Sequence, residues 1–389
     1  MKRQLLQAQK QWRSHLQKNP RDEEKWKKIV SLMYGSEKDI AQGFHLLRSL
    51  NWTDALSGLL VQNKYGHMDF VNQTSAANLY MLTMRTFEFI QHLPKDHPLY
   101  YIVARGGLNH LLMRVVDDKK PAELSSAVQK LIVNKVKKME KIPAGSFWQG
   151  ADQSDPQAWN NEHPRHRVNI TKPFLLGRYP VTQALYLYVT KSAPKYNQNL
   201  TRPVVGVSWV EAISFCNKLS KLEKKEPVYI LPPGFSPDMS DQEKLRFVPN
   251  IEYNTTANGY RLPTEAEWEF AARAKTDFPY SGSSEILDVA WTEESDTNHS
   301  QPVGQKKPNP WNVYDMSGNV WEWVWDGYGP YPSKGCADPT GDAHSRQRVY
   351  RGGCWGSSSR RARVSFRYYY TPDLRIQTLG FRLARNIKQ

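Results

Sequence analysis

The chain of 389 residues is long enough for two domains, each with its own core. It contains no run of about 18 apolar residues and no apolar stretch near its N-terminus, so we expect no membrane span, no membrane partner and no secretory signal. The three cysteines are too few for a disulfide framework, which together with the missing signal favours a cytoplasmic protein.

The formal net charge of +15 admits anionic partners such as nucleic acid. A nucleic-acid-binding face requires basic residues that cluster on one side. Here the basic residues are spread along the whole chain. A nucleic-acid partner is therefore possible but not favoured.

Residues 1–137 are predicted to form an all-helical domain. Apolar residues recur there at spacings of three and four, most clearly at 39–50, as they do on amphipathic helices. This half of the chain contains no catalytic motif. We therefore expect a scaffold domain, or one that docks a partner protein.

Residues 138–389 predict a second domain, of the α+β class. It opens with a strand, continues through a loop around 160–163 and forms another strand at 167–170. Residues 224–258 are rich in proline and polar side chains, and they predict an insertion that runs over the surface.

Two helices of this domain have clear start signals. Ser208 with Glu211, and Thr264 with Glu267, have the spacing of a capping box, in which each side chain bonds the other residue's backbone N–H. An apolar face follows both signals, so each pair predicts the start of an amphipathic helix.

Four sequence blocks of the second domain carry most of the evidence for its family. They are Gly-Tyr-Arg-Leu-Pro-Thr-Glu-Ala-Glu-Trp at 259–268, Gly-Asn-Val-Trp-Glu-Trp at 318–323, Arg-Gly-Gly at 351–353 and Gly-Phe-Arg-Leu at 380–383. With upstream blocks at 142–147, 162–166, 179–182 and 203–209, they resemble the formylglycine-generating-enzyme (sulfatase-modifying-factor) family over about residues 138–386. The resemblance implies a C-type lectin fold with two helices, short strands and much ordered loop. It does not fix the function, because this scaffold hosts several activities.

Oxidases of this family depend on a copper-binding cysteine pair that follows an Arg-Gly-Gly-Ser motif. In this chain Ser357 stands at the first cysteine position, the second has no counterpart, and Cys354 replaces the serine of the motif. Thiolates are the ligands that copper(I) requires. We therefore expect no copper and a non-catalytic member of the family.

The alternative is a divergent metal-dependent oxidase. It would use a new pair formed by Cys336 and Cys354, or an iron centre of the sulfoxide-synthase type, for which some relatives supply three histidines from a helical N-terminal domain. His92 and His97 are five residues apart with prolines nearby, a spacing that does not match convergent metal ligands.

The resemblance also implies a structural calcium ion. Its ligands would be the side chains of Asp315 and Glu322 and the backbone carbonyls of Gly318 and Val320. Hard oxygen donors from a tight turn are what calcium requires. The alternative is that these carboxylates cap turns or pair with arginines and hold no metal.

Segment 356–378 is the candidate ligand-binding region. It contains five arginines against one acid, and three consecutive tyrosines, Tyr368, Tyr369 and Tyr370. Tyrosine offers contact area at low entropic cost, and with Arg, Ser and Gly it dominates adaptable binding surfaces. We expect a protein to be the ligand.

Three aromatic residues outside the segment, Trp325, Tyr328 and Tyr331, are expected to extend this surface. The alternative is that the tyrosines of the segment pack under loops while its arginines pair with Asp373 and Glu322.

The same region resembles the variable proteins of diversity-generating retroelements. In those proteins a reverse-transcribed template replaces adenines, and so changes asparagine-type codons on a lectin-like surface. In this region, residues such as Arg363, Arg367 and Arg375 match the constant framework of those proteins. The positions expected to contact ligand lie between framework residues: Gly356, Ser357, Ser358, Arg360, Phe366, Tyr368, Tyr369, Tyr370, Leu374, Ile376, Gln377 and Thr378. All except Gln377 can be reached from an asparagine codon by adenine replacement, so Gln377 counts against the simplest form of this hypothesis.

Overall fold

The computed structural model describes residues 136–192, 196, 199–236 and 239–387, with Val133 and scattered positions between residues 14 and 28. The chain divides into two compact units, Met1–Leu124 and Ser125–Gln389. The predicted helical domain and its histidines lie almost wholly outside the described residues. Its partner-docking role and a domain boundary after residue 137 therefore stay predictions.

The main sheet of the second unit has seven strands. They are β1 (Met139–Ile142), β4 (Phe174–Pro180), β7 (Tyr260–Arg261), β8 (Trp321–Gly327), β10 (Arg348–Arg351), β11 (Arg367–Tyr370) and β12 (Leu379–Asn386). Six of them follow the order β1-β4-β12-β8-β10-β11, and β7 also pairs with β12. All pairings are antiparallel except that between β12 and β8. Strand β11 is thus an edge strand.

Two smaller sheets complete the strands of the described region. One has the order β2-β3-β9, with β2 (Gly145–Gln149), β3 (His166–Ile170) and β9 (Cys336–Ala337). The other pairs β5 (Tyr229–Ile230) with β6 (Glu252–Tyr253).

The helices of the described region are short. They are α1 (Gln183–Thr190), α2 (Trp209–Leu222), α3 (Asp241–Phe247), α4 (Glu265–Arg273) and α5 (Ile286–Val289), with 3-10 turns at Asn160–Glu162, Val248–Asn250, Glu293–Ser295 and Ser359–Ala362. The capping boxes at the starts of α2 and α4 are both present, which confirms the two predicted helix starts. Helix α1 was not predicted. Its N-cap is Thr182, whose hydroxyl accepts a hydrogen bond from the Leu185 N–H.

Helix α4 lies at the centre of the core. Trp268, Ala271 and Ala272 are fully buried, as their helical spacing predicts. A Cβ at Gly352, where φ is +98°, would lie 3.1 Å from the Trp268 ring, so the Arg-Gly-Gly block needs glycine at this position.

The insertion at 224–258 is more than the surface excursion that its composition predicts. It contains α3 and the β5–β6 pair, and the rings of Tyr229 and Tyr253 stack on Trp325 at centroid distances of 5.0 Å. The composition of the insertion did not predict these aromatic contacts, because they form with Trp325, which lies far from the insertion in sequence. None of the helices in the described part is both long and apolar enough to cross a bilayer.

Candidate functional site

Five arginines hold residues 351–387, the terminal segment, against earlier parts of the domain. All five form ion pairs with carboxylates outside the segment. We call them the framework arginines: Arg351, Arg363, Arg367, Arg375 and Arg382.

The pairs formed by Arg363 and Arg367, within the candidate region, are buried and bidentate. Arg363 donates to both oxygens of Glu162 over 2.6 and 2.9 Å, and Arg367 donates to both oxygens of Glu265 over 2.6 and 2.8 Å. A planar guanidinium matches a carboxylate in this geometry, which fixes position as well as charge. The backbone at both residues is therefore held tightly.

Arg351 forms the innermost pair, with Glu269 of α4 over 2.5 Å. Burial by itself raises the pKa of the Glu269 carboxyl, but the positive charges of Arg273 and Arg351 outweigh it, and the net pKa is lowered. Glu269 therefore stays ionised and holds the two arginines.

The predicted partners of the arginines in the segment were wrong. Arg375 pairs with Glu211 of α2 and with Asp241 of α3, and it touches only the backbone carbonyl of Asp373. Glu322 pairs with Arg382, beyond the candidate region. The alternative that these arginines are paired is nonetheless right for the three that belong to the framework.

Most of the predicted contact positions lie between these arginines and reach the surface. The exposed ones are Gly356, Arg360, Tyr368, Tyr370, Ile376 and Gln377, and the half-buried ones are Ser358, Tyr369, Leu374 and Thr378. The surface of the segment is thus built from residues that the ion pairs do not use.

Two predicted positions are buried, and their side chains do not face a ligand in this structure. Ser357 is 3% exposed, and its hydroxyl accepts a hydrogen bond from the Cys354 N–H. Phe366 is fully buried between the rings of Trp159 and Trp321, at centroid distances of 5.4 and 5.8 Å. A codon pattern does not distinguish such positions from exposed ones.

The three consecutive tyrosines lie on edge strand β11, where side chains alternate in direction. Tyr368 and Tyr370 are 38% and 49% exposed. Tyr369 points the other way with Arg367 and stacks on Tyr328 at a centroid distance of 3.5 Å. Tyr368 and Tyr370 therefore form the exposed aromatic pair, and Tyr369 is a supporting residue.

Of the three aromatics expected to extend the surface, two are buried. Trp325 is 7% exposed beneath the insertion, and Tyr331 is 8% exposed with the Arg367 guanidinium 3.9 Å from its ring. Only Tyr328 is half-buried and touches the surface, through Tyr369.

Sequence reasoning missed Trp159, which lies beside the segment and is 37% exposed. Its ring packs edge-on against Phe366, and the Arg360 guanidinium lies 5.4 Å from the ring centroid. The carbonyl of Gln157 accepts from Arg360 Nε, and the Asn161 side chain donates to the Arg367 carbonyl. The only sequence signal near Trp159 was the block at 162–166, and it did not indicate contact with the terminal segment about two hundred residues later.

The residues proposed for calcium do not fit the ion in this arrangement. Both oxygens of Glu322 are used by Arg382, at 2.8 and 3.0 Å, and one also accepts from Trp268 Nε1. Asp315 Oδ1 lacks a well-formed hydrogen bond, although the Asn319 amide lies close to the carboxyl. Among the described residues no three acidic, histidine or cysteine side chains converge on a metal position. Calcium binding at Asp315, Gly318, Val320 and Glu322 stays a prediction.

The thiols are poorly suited to metal or redox chemistry. Cys216, Cys336 and Cys354 are all free. Burial raises the pKa of the Cys354 thiol and of the Cys336 thiol, which disfavours the thiolate that binds copper. Cys354 instead contacts the Ser357 hydroxyl over 3.2 Å.

Comparison with known proteins places this site in context. The chain is 36% identical to the formylglycine-generating enzyme of Streptomyces coelicolor, over 63% of the chain and 88% of that protein. It is 30% identical to the inactive C-alpha-formylglycine-generating enzyme 2 of Mus musculus, over 63% of the chain and 85% of that protein. Two other relatives are longer, and the chain spans only 49% and 38% of their length.

Among solved structures, Treponema denticola variable protein 1 superposes with a TM-score of 0.57 at 32% identity, covering 64% of this chain and 95% of that one. This likeness confirms the predicted C-type lectin fold of the formylglycine-generating-enzyme type. The model of the sulfatase-modifying factor enzyme 1-like domain matches residues 125–387. The chain therefore belongs to the sulfatase-modifying factor enzyme 1-like domain family.

Proposed function

We propose that the second domain is a non-catalytic binding module that presents the surface of its terminal segment to a protein ligand. The observation that carries the proposal is that some residues of the segment are fixed in buried ion pairs while their neighbours are exposed to solvent. Arg363 and Arg367 are buried in ion pairs, while Tyr368 and Tyr370, which follow Arg367 on the same edge strand, are exposed. Aromatic residues on a rigid support are what an interface uses for contact energy.

Two observations favour binding over oxidase chemistry. Ser357 occupies the first position of the family's cysteine pair, and burial holds the pKa of the remaining nearby thiol, that of Cys354, above its ordinary value. The inactive mouse relative supports a member without catalysis, whereas the Streptomyces coelicolor relative is an enzyme. The proposal therefore depends on the residues of this chain.

The likeness to Treponema denticola variable protein 1 supports the further proposal that the surface is diversified. Gly356 fits this idea, because a Cβ built there meets no atom within 4 Å. Sequencing the locus downstream of codon 389 tests it. A near-copy of codons 350–385 that differs at adenines, beside a reverse-transcriptase gene, is the expected result. A locus without such a copy would leave a binding domain of fixed sequence.

Binding itself is tested by selecting from a random peptide library displayed on phage against the full chain. We expect enriched peptides whose affinity falls at least about tenfold when Tyr368 and Tyr370 are both replaced by Ala, since aromatic hot spots dominate interfaces. Thermal unfolding of that variant should match the parent chain, because both side chains are exposed. A Trp148→Ala variant is the matched control, because this tryptophan is 48% exposed and belongs to the separate β2-β3-β9 sheet.

Two outcomes of the peptide selection would contradict the proposed function. If no peptide is enriched, or if the peptides bind the double tyrosine variant as well as the parent chain, the proposed function is wrong. A Phe366→Ala variant shows what a core position does instead. It should cost about 3–5 kcal/mol of unfolding free energy, because a fully buried phenylalanine is lost.

A further inference from the structure

We propose that the ligand is an acidic protein segment, bound between the exposed tyrosines and a fixed rim formed by Trp159, Arg360 and Arg361. The inference rests on the proposed function and adds two things to it: the charge of the partner, and a contact residue outside the terminal segment.

Trp159 is held in place by contacts that leave much of its indole exposed. Its ring packs edge-on against the buried Phe366 ring, with the ring centroids 5.4 Å apart and an angle of 85° between the ring planes. The loop that carries Trp159 is fixed by the Glu162–Arg363 pair, which is almost fully buried. A large aromatic side chain that is both rigid and 37% exposed contributes contact area at little entropic cost.

The rim is continuous with the tyrosine surface. Phe366 lies under both parts, because its ring is 5.4 Å from that of Trp159 and 6.3 Å from that of Tyr368. Asn161 ties the same loop to strand β11 through the Arg367 carbonyl, over 3.2 Å. A ligand that covers Tyr368 therefore reaches Trp159 without crossing a gap in the structure.

Arg360 and Arg361 give the rim its charge. Both are exposed, and in the described part of the chain neither forms an ion pair, in contrast to the framework arginines. Arg360 is nevertheless positioned, because its Nε donates to the Gln157 carbonyl over 2.8 Å and its guanidinium lies over the Trp159 ring.

Glu294 lies next to the turn that carries these arginines, and in the described part of the chain it forms no ion pair with either of them. Glu294 accepts a hydrogen bond from the Ser359 N–H over 2.8 Å, so its carboxylate is used as a backbone cap. A positioned guanidinium group, a second exposed arginine and an aromatic face match a partner that carries carboxylates together with apolar or aromatic side chains.

The experiment uses the same peptide selection, with the full chain as bait. We expect the enriched peptides to contain more Asp and Glu than the unselected library. Their affinity should fall at least about tenfold for an Arg360→Ala, Arg361→Ala double variant and for Trp159→Ala, and it should fall as salt is added. Arg360→Glu, at an exposed residue that does not endanger folding, should abolish binding, and Arg360→Lys should retain part of it.

Matched controls separate these effects from loss of charge or aromatic area in general. Lys172→Ala removes one exposed positive charge in the turn after β3, and Trp148→Ala removes an exposed tryptophan of the other sheet. Both variants should bind like the parent chain. Thermal unfolding midpoints of every variant show whether Trp159→Ala still folds, and Arg360→Glu decides the matter if it does not.

Two outcomes overturn the inference alone. Peptides that need Tyr368 and Tyr370 but show no enrichment in acids, or that bind the Arg360→Glu variant normally, would leave the proposed function standing and remove the acidic partner. Displacement of the peptides by a single-stranded oligonucleotide would assign the rim to nucleic acid. Peptides that ignore the tyrosines would defeat the proposed function and the inference together.

Discussion

Asp315 combines deep burial with an incomplete set of hydrogen bonds. Its Oδ2 accepts from the Gly304 N–H over 2.8 Å, while Oδ1 lacks a well-formed partner. Burial raises the pKa of this carboxyl from its ordinary 3.8 to about 6. The ionised carboxylate therefore disfavours the native state at neutral pH unless a cation binds it.

The effect on stability has a definite sign and pH range. A raised pKa adds stability that is fully present below the ordinary value of 3.8 and is lost as the pH rises through about 6. Asp315→Asn should therefore stabilise the domain by up to about 3 kcal/mol at pH values above 7, and by little at pH values near 4. Urea unfolding at the two pH values, in a chelator, measures the difference.

Calcium provides the counter-test at the same residue. Because Glu322 is already paired with Arg382, we expect millimolar calcium to leave the unfolding midpoint of the parent chain unchanged. A calcium-dependent rise in the midpoint that disappears in Asp315→Asn would show that the family's ion is bound after all. Such a result would also require Glu322 to leave the arginine.

Neighbouring residues show the limit of inference from sequence at this scale. Gly356 and Ser357 both fit the codon pattern, but a side chain at the first would meet open space, while the second is buried against Cys354. Which of the two faces outward depends on the path of the loop, and that path is fixed by distant partners. The sequence predicted all three tyrosines as contact residues, and only Tyr368 and Tyr370 are exposed. It had no means of finding Trp159.

At the scale of elements, the terminal segment alternates between residues that fix the backbone and residues that face solvent. Arg363 is 2% exposed in its pair with Glu162, whereas Arg360, three positions earlier, is exposed. The 3-10 turn Ser359–Ala362 lies between these two environments. Substitutions should therefore have opposite consequences within a few residues.

Arg363→Ala should destabilise the domain by about 3–5 kcal/mol, because it leaves the Glu162 carboxylate buried without its partner. Arg360→Ala should change the unfolding free energy by no more than about 0.5 kcal/mol. Chemical unfolding of both variants gives the comparison, and Glu162→Gln completes a double-mutant cycle that isolates the pair. Equal effects at the two arginines would contradict the framework role of Arg363.

Elements were predictable where their signals were local. The capping boxes at Ser208 and Thr264 mark helix starts within four residues, and both predictions are confirmed. Strand β11 has only four residues, and its pairing with β10 depends on contacts that no local pattern records. Helix α1 was missed because Thr182 alone gives a weak start signal without a glutamate three positions later.

For the whole molecule, the family resemblance predicted the fold, and single residues then decide which member of the family this is. The active and inactive relatives share similar identity with the chain, so identity does not separate the two classes. The chemical state of this chain's thiols offers a test instead, since copper chemistry requires thiolates.

The chain should therefore purify with far less than one equivalent of copper. Cys354 should react with iodoacetamide much more slowly than a model thiol at the same pH, because burial raises its pKa and shields it. Elemental analysis and mass spectrometry before and after unfolding check both statements. Stoichiometric copper, or rapid alkylation of Cys354 in the folded chain, would favour the oxidase alternative.

The framework pairs join residues that are far apart along the chain: 201 positions for Arg363 and Glu162, and 102 positions for Arg367 and Glu265. During translation the glutamates leave the ribosome long before their arginines exist, so an early compact state would have to bury unpaired carboxylates. The domain must therefore complete its folding only after the terminal segment has emerged. A copy of the gene with a frameshift in this segment would then yield a chain that never becomes native, and a lost arginine would raise the unfolded fraction that proteases cleave, so quality control would act on the region that we propose to be diversified.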